Sequence, residues 1–68
     1  MGRRLKEWEE VVDIPEKVKG DRIIFRNLGE VQIDDKDVLL KARKNIGRKI
    51  AVLYTDIKGR EYLIRVME

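Results

Sequence analysis

The sequence predicts a small α+β domain that is mostly β, with one helix between two β-hairpins. Two segments alternate apolar and polar residues, and each has a glycine where a hairpin turn is expected, at Gly29 and Gly59. Between these segments, residues 35–46 repeat apolar residues at helical spacing. With 68 residues, the chain is expected to form one small domain, 1–68, whose first residues, 1–7, are frayed.

The C-terminal hairpin has the clearest pattern. Apolar and polar residues alternate through residues 50–66, as expected for two paired strands that each bury one face. A type I turn over residues 56–59, with Gly59 in the left-handed position, would pair Tyr54 with Tyr62. The residues expected to be buried on this face are Ile50, Val52, Tyr54 and Ile64. The opposite face is only half apolar, and its exposed apolar members would be Leu53, Leu63 and Met67.

An earlier hairpin is predicted over residues 22–33, with its loop at 27–29. Its apolar face would be built by pairing Phe25 with Val31 and Ile23 with Ile33. Upstream, residues 9–15 contain β-branched residues and end in Pro15, which is typical of a strand that ends in a turn. A helix over residues 3–12 is the alternative for this segment, and the sequence leaves the choice open.

The central segment carries the signals of a helix. Asp34 or Asp35 can cap its N-terminus, and Gly47 suits the left-handed position after its end. The residues expected to face the core are Val38, Leu39, Ala42 and Ile46.

The resulting order is β-β-β-α-β-β, which resembles a small, five-stranded oligonucleotide-binding (OB) barrel. Without the first strand, the two hairpins around a helix resemble the swapped-hairpin ββαββ dimers of archaeal and bacterial transition-state regulators, which bind DNA. Glu30 and Asp34 depart from that family's pattern, which has Arg and Pro at these places. Both resemblances concern architecture, so function has to be argued from a site.

The composition is thermophilic and archaeal-like. Charged residues make up 43% of the chain, while serine, cysteine and histidine are absent. Surface ion pairs cost less at high temperature because ion hydration becomes less favourable, so such a surface suits a thermophile. The charge is also uneven. Residues 36–49 carry six cations and one anion, and they account for the whole net charge of +3, because the remaining residues sum to −2.

This basic segment is the candidate binding site. We expect phosphate contacts from Lys41, Arg43, Lys44, Arg48 and Lys49, extended across a sheet face by Arg22, Arg26 and Arg65. The chain has four aromatic residues, and only Trp8 lies off the predicted core faces. Backbone contact with duplex DNA or structured RNA, with little sequence specificity, is therefore favoured over base stacking. A solvated helix end, where cations interact favourably with the helix dipole, is the simpler alternative explanation.

The sequence lacks the residue types that most often carry nucleophilic catalysis. Without cysteine, serine or histidine, the usual nucleophile–base pairs cannot form, so we expect no enzyme activity. Zinc ligands of the usual kind are missing, and the acidic residues at 34–37 are explained by helix capping. We therefore expect no metal and no cofactor.

A protein-interaction module is the competing class of function. The half-apolar face with Leu53, Leu63 and Met67 could join two copies as a homodimer or bind a protein partner in a larger assembly. The N-terminus lacks the apolar stretch of a secretory signal, and no apolar run approaches the length of a membrane span. We expect a cytoplasmic protein without membrane contact. The sequence does not decide between DNA and RNA, and it does not give the biological process or the oligomeric state.

Overall fold

Two β-sheets and one helix surround the core in a computed structural model of the protein, which describes residues 3–67. The elements are β1 (Arg3–Arg4), β2 (Glu10–Asp13), β3 (Pro15–Lys19), β4 (Arg22–Phe25), β5 (Gly29–Gln32), α1 (Lys36–Lys44), β6 (Ile50–Tyr54) and β7 (Tyr62–Val66). The predicted class, mostly β with one helix, is confirmed.

The strands form a four-stranded sheet with the order β1-β5-β4-β3 and a three-stranded sheet with the order β2-β6-β7. The two sheets are hydrogen-bonded separately, so the structure does not show the five-stranded closed barrel that the element order suggested. The swapped-hairpin alternative left out the first strand. In the structure, β2 pairs along its whole length with the central strand β6, so this strand is an integral part of its sheet.

A single core lies between the sheets and the helix. Its buried side chains are Leu5, Val11, Ile23, Phe25, Val31, Ile33, Val38, Ala42, Ile50 and Val52. The sequence predicted Phe25, Ile33, Ile50 and Val52 correctly, whereas Tyr54 and Ile64, also predicted to be buried, are half-buried at the margin of the core. Because the chain is so short, each of these buried side chains makes up a large share of the whole core.

The C-terminal hairpin has the predicted register, with Tyr54 opposite Tyr62. Its turn lies one residue later than expected. The carbonyl of Ile57 accepts a hydrogen bond from the N–H of Arg60 at 2.9 Å, which places Gly59 third in the turn with φ +82°. A positive φ at the third position is the requirement of a type II turn, which glycine meets without steric cost.

The earlier hairpin is displaced by two residues from the predicted register, because Phe25 pairs with Gly29 and Ile23 pairs with Val31. An even displacement keeps each side chain on its face, so the buried residues are still the predicted ones. The cause is Asp13, a residue that is only 3% exposed and whose carboxylate accepts hydrogen bonds from the backbone N–H groups of Asn27 and Leu28. This anchor fixes the turn at residues 26–28.

The sequence reading missed two strands. β3 begins at Pro15, where the sequence predicts the end of a strand. After Pro15, Val18 is the one side chain of β3 that is partly buried. Proline is acceptable as the first residue of an edge strand, and one core contact leaves no alternation to detect. The start expected to fray, 1–7, contains β1, which pairs in parallel with β5, and the buried Leu5. Residues 1 and 2 lie outside the described residues.

Candidate nucleic-acid interface

Helix α1 positions most of the candidate residues. Its N-cap is Asp35, whose Oδ1 accepts hydrogen bonds from the N–H groups of Asp37 at 2.9 Å and Val38 at 3.2 Å. Val38 and Ala42 are buried, so the helix is held to the core by one narrow side. Its predicted position, capping and core contact are confirmed, except that Ile46 is exposed because the helix ends at Lys44.

The helix packs against β3 and β7, which are the last strands of the two sheets. After the helix, the N–H of Gly47 donates to the carbonyl of Pro15 at 2.9 Å, and the N–H of Met67 donates to the carbonyl of Lys49 at 2.8 Å. These two bonds fix the connection to β6 against both sheets. The side of α1 that faces away from the core therefore points to solvent in a defined orientation.

Five cations occupy this solvent side and the connection that follows, and we call them the basic cluster: Lys41, Arg43, Lys44, Arg48 and Lys49. All five are exposed. None makes an ion pair with a carboxylate of residues 3–67. Their positive charge is thus not neutralised by any described acidic side chain, and the cluster can offer it to an anionic partner.

The three arginines expected to extend the site have other partners. Arg22 lies 3.0 Å from Glu30, Arg26 lies 3.0 Å from Glu16, and Arg65 lies 3.7 Å from Glu10, measured between side-chain nitrogen and oxygen atoms. Arg22 belongs to the four-stranded sheet and Arg65 to the three-stranded sheet, with Arg26 in the turn after β4. These three arginines are therefore paired with carboxylates, whereas the basic cluster has no such partner among residues 3–67.

Sequence reasoning missed three further cations near the cluster. Lys36 and Arg43 border a shallow groove of about 220 Å³ beside Gly20, and exposed Leu40 contributes to its lining. Lys17 and Lys19 are exposed on β3, the edge strand against which α1 packs. Their proximity depends on β3, and the polar sequence of that strand gave no signal that it would lie beside the helix.

Helix-end chemistry accounts for only part of the cluster. Lys41, Arg43 and Lys44 lie in the last turn, where the helix dipole favours cations. There the side-chain amide of Asn45 also donates to the carbonyl of Lys41 at 2.7 Å. Arg48 and Lys49 come after the helix has ended, so the dipole does not explain their placement.

The aromatic residues lie away from the cluster. Phe25 is buried, while Tyr54 and Tyr62 are half-buried and pack with ring centroids 4.9 Å apart. Burial raises the pKa of the Tyr62 hydroxyl above its usual value. Trp8 is 55% exposed and has a left-handed backbone, with φ +63°. The backbone N–H of Trp8 donates to the backbone carbonyl of Tyr54, which lies at the other end of β6 from Lys49.

Within residues 3–67, no group of three or more carboxylates is placed to hold a metal ion. Asp35 caps the helix, and Asp34 lies 2.8 Å from Arg4 in an ion pair. In the same part of the chain, no helix is long and apolar enough to cross a membrane. In comparisons with known proteins, no family model, curated protein or solved structure matches this chain.

Proposed function

We propose that the protein binds the phosphate backbone of duplex DNA or structured RNA through the basic cluster, with little sequence preference and without catalysis. The observation that carries the proposal is the group of five exposed cations within nine residues, none of them paired with a described carboxylate. The proposal does not require a closed OB-like barrel, because the cluster belongs to α1 and the connection after it.

The ion pairs elsewhere in the protein support this choice. Five of its eight arginines pair with carboxylates of residues 3–67, but Arg43 and Arg48 do not. On a surface where arginine is usually neutralised, two unpaired arginines beside three unpaired lysines leave a local excess of positive charge. Phosphate groups complement this charge, and arginine can bind them with two hydrogen bonds.

Contact with phosphates is favoured over contact with bases. The cluster contains no aromatic side chain on which a base could stack. Trp8 is separated from Lys49 by the five residues of β6, which at about 3.3 Å per residue span roughly 13–17 Å. A helix surface rich in lysine and arginine fits the regularly spaced phosphates of a duplex, and such contacts carry no sequence information.

Salt dependence of binding tests the proposal. Fluorescence anisotropy with a labelled DNA duplex and an RNA hairpin should show steep salt dependence. On the duplex, five phosphate contacts at about −0.9 each predict a slope of log K against log salt of about −4.5. The triple variant Lys41→Gln, Arg43→Gln, Lys44→Gln should make this slope shallower by about two to three units.

A matched control removes the same charge elsewhere. The control uses three exposed cations that form no ion pair with residues 3–67: Lys6, Lys58 and Arg60. Lys6 precedes Trp8, and the other two lie in the turn between β6 and β7, at the other end of β6 from Lys49. Their triple glutamine variant should keep nearly all of the affinity and of the slope. Equal losses in both triple variants would show that net charge alone drives binding. If the wild-type protein binds neither nucleic acid at low salt, the cluster is a solvated helix end.

The paired arginines give an internal comparison. Arg22 and Arg26 are each paired with a carboxylate, so neither pair has a net positive charge to attract a phosphate. Replacing either arginine with glutamine changes the net charge by the same −1 as Arg43→Gln, but it should remove no phosphate contact. We expect each of these single variants to reduce affinity less than Arg43→Gln does. Affinity losses equal to or larger than that of Arg43→Gln would extend the binding surface onto the four-stranded sheet.

A further inference from the structure

The outer face of the three-stranded sheet carries apolar side chains that no other described part of the chain covers. Val12 on β2 is 47% exposed, Leu63 on β7 is 44% exposed, and Met67 beyond β7 is 46% exposed. Between the strands, a groove of about 310 Å³ is lined by residues of all three strands: Glu10, Ala51, Leu53, Leu63, Ile64 and Arg65. Trp8 does not line this groove, so the N-terminal segment leaves it open.

The strand register defines two rows across this face. Glu10, Leu53 and Leu63 form one row, and Val12, Ala51 and Arg65 form the next. Glu10 therefore lies on the outer strand β2 and Arg65 on the outer strand β7, in different rows. The other side chains of the two rows are apolar. The Arg65 and Glu10 side chains reach across the middle strand to within 3.7 Å of each other.

We propose that this face is an interface between two copies of the chain. In a two-fold interface, if one residue contacts a second, the second contacts the first in return. A face with one acid and one base at opposite corners meets this condition, because a two-fold axis between the corners brings Glu10 of each copy opposite Arg65 of the other. Val12 and Leu63, at the other two corners, and Leu53, on the middle strand, then pack between the two copies.

The size of the face predicts a weak dimer. A standard interface buries about 800 Å² on each partner. Three strands of four or five residues each provide a smaller area, even with Met67 at the rim. We therefore expect weak association, with the monomer predominating at micromolar concentrations. This inference does not depend on nucleic-acid binding, although each copy would bring its own basic cluster, which borders the face at Lys49.

Sedimentation equilibrium without nucleic acid tests the interface. The wild-type protein should pass from monomer to dimer as its concentration rises from micromolar to millimolar. Leu63→Lys should weaken association at least tenfold, while circular dichroism stays native because Leu63 is already half exposed. Leu40→Lys is the control, since Leu40 is similarly exposed but lies on α1, and it should leave the dimerisation constant unchanged.

Charge exchange tests the specific arrangement. Glu10→Arg alone and Arg65→Glu alone should each be monomeric, because like charges then face each other across the axis. Mixed in equal amounts, the two variants should form a heterodimer, since each arginine then faces a glutamate of the other variant. A wild-type monomer at millimolar concentration would overturn the proposal. So would an association that Leu63→Lys does not weaken, or a mixture of charge variants that stays monomeric.

Discussion

The carboxylate of Asp13 is buried beneath the β4–β5 turn, and its replacement by asparagine tests what holds that turn in place. Oδ1 accepts hydrogen bonds from the N–H of Ile14 at 2.7 Å and the side-chain amide of Asn27 at 2.9 Å. Oδ2 accepts bonds from the N–H groups of Asn27 at 2.9 Å and Leu28 at 2.7 Å. All four partners are donors, so a side-chain amide cannot replace the carboxylate without one conflict.

The magnitude follows from counting these bonds. The NH₂ group that Asp13→Asn introduces fits best at the Oδ1 position, because Asn27 can rotate its own amide and accept a bond there. The N–H of Ile14 then faces a donor, and an unsatisfied, partly buried donor costs about 1–3 kcal/mol. The two bonds at Oδ2 become neutral and lose about 1 kcal/mol each. We expect Asp13→Asn to lower the free energy of unfolding by about 3–5 kcal/mol, which is most of the stability of a domain this small.

The pH dependence gives a second measurement. Burial raises the pKa of the Asp13 carboxyl, but its four hydrogen bonds outweigh burial and hold the pKa below its usual value. The folded state therefore binds this proton less readily than the unfolded state does. The contribution of Asp13 is fully present above the unfolded pKa of about 3.9 and is lost as pH falls through the lower, folded pKa.

Urea unfolding followed by circular dichroism provides the assay. The difference in stability between the wild type and Asp13→Asn should be constant from neutral pH to about pH 5 and shrink below about pH 4. Asp56→Asn is the control, because Asp56 is exposed and its carboxylate forms no hydrogen bond or ion pair with residues 3–67. A gap as wide at pH 3 as at pH 7, or Asp13→Asn as stable as Asp56→Asn, would refute the reasoning.

Three further substitutions test the fold. At Trp8, where φ is +63°, Trp8→Gly should be more stable than Trp8→Ala by about 1 kcal/mol in urea unfolding, which reverses the usual order; a more stable alanine variant would contradict the left-handed backbone. Gly47→Ala should cost about 1 kcal/mol from φ +86° alone, since a Cβ there meets no atom within 4 Å, and a neutral result would contradict it. Phe25→Ala should cost about 3–5 kcal/mol and leave the chain largely unfolded by circular dichroism, whereas a cooperative native transition would show that the core does not depend on this ring.

The sequence predicted those parts of the fold that depend on local contacts. The register of the C-terminal hairpin and a helix cap at Asp34 or Asp35 follow from patterns within a few residues. Both agree with the structure, in which Asp35 is the cap. The register of the β4–β5 hairpin depends instead on Asp13, which precedes that turn by about fourteen residues. A buried acid at this distance leaves no local pattern, so the predicted pairing was wrong by two residues.

The candidate site was predictable in composition but not in geometry. The excess of cations in residues 36–49 is visible in the sequence, and a helix with one apolar stripe must expose the rest of its surface. The sequence does not show which cations meet a carboxylate, because the ion pairs of Arg22, Arg26 and Arg65 join residues brought together by strand pairing and turn formation. The neighbourhood of Lys17 and Lys19 likewise required the position of β3.

Helix α1 packs against β3 and β7, which are edge strands of the two sheets, and so it links one sheet to the other. Three cations of the basic cluster lie on α1. An anion that binds the cluster only while α1 is packed against the sheets would raise the free energy of unfolding by RT ln(1 + [L]/Kd). Bound nucleic acid would then slow both amide hydrogen exchange along β3 and β7 and heat-induced aggregation. Occupancy of a surface site would in this way stabilise strands of both sheets.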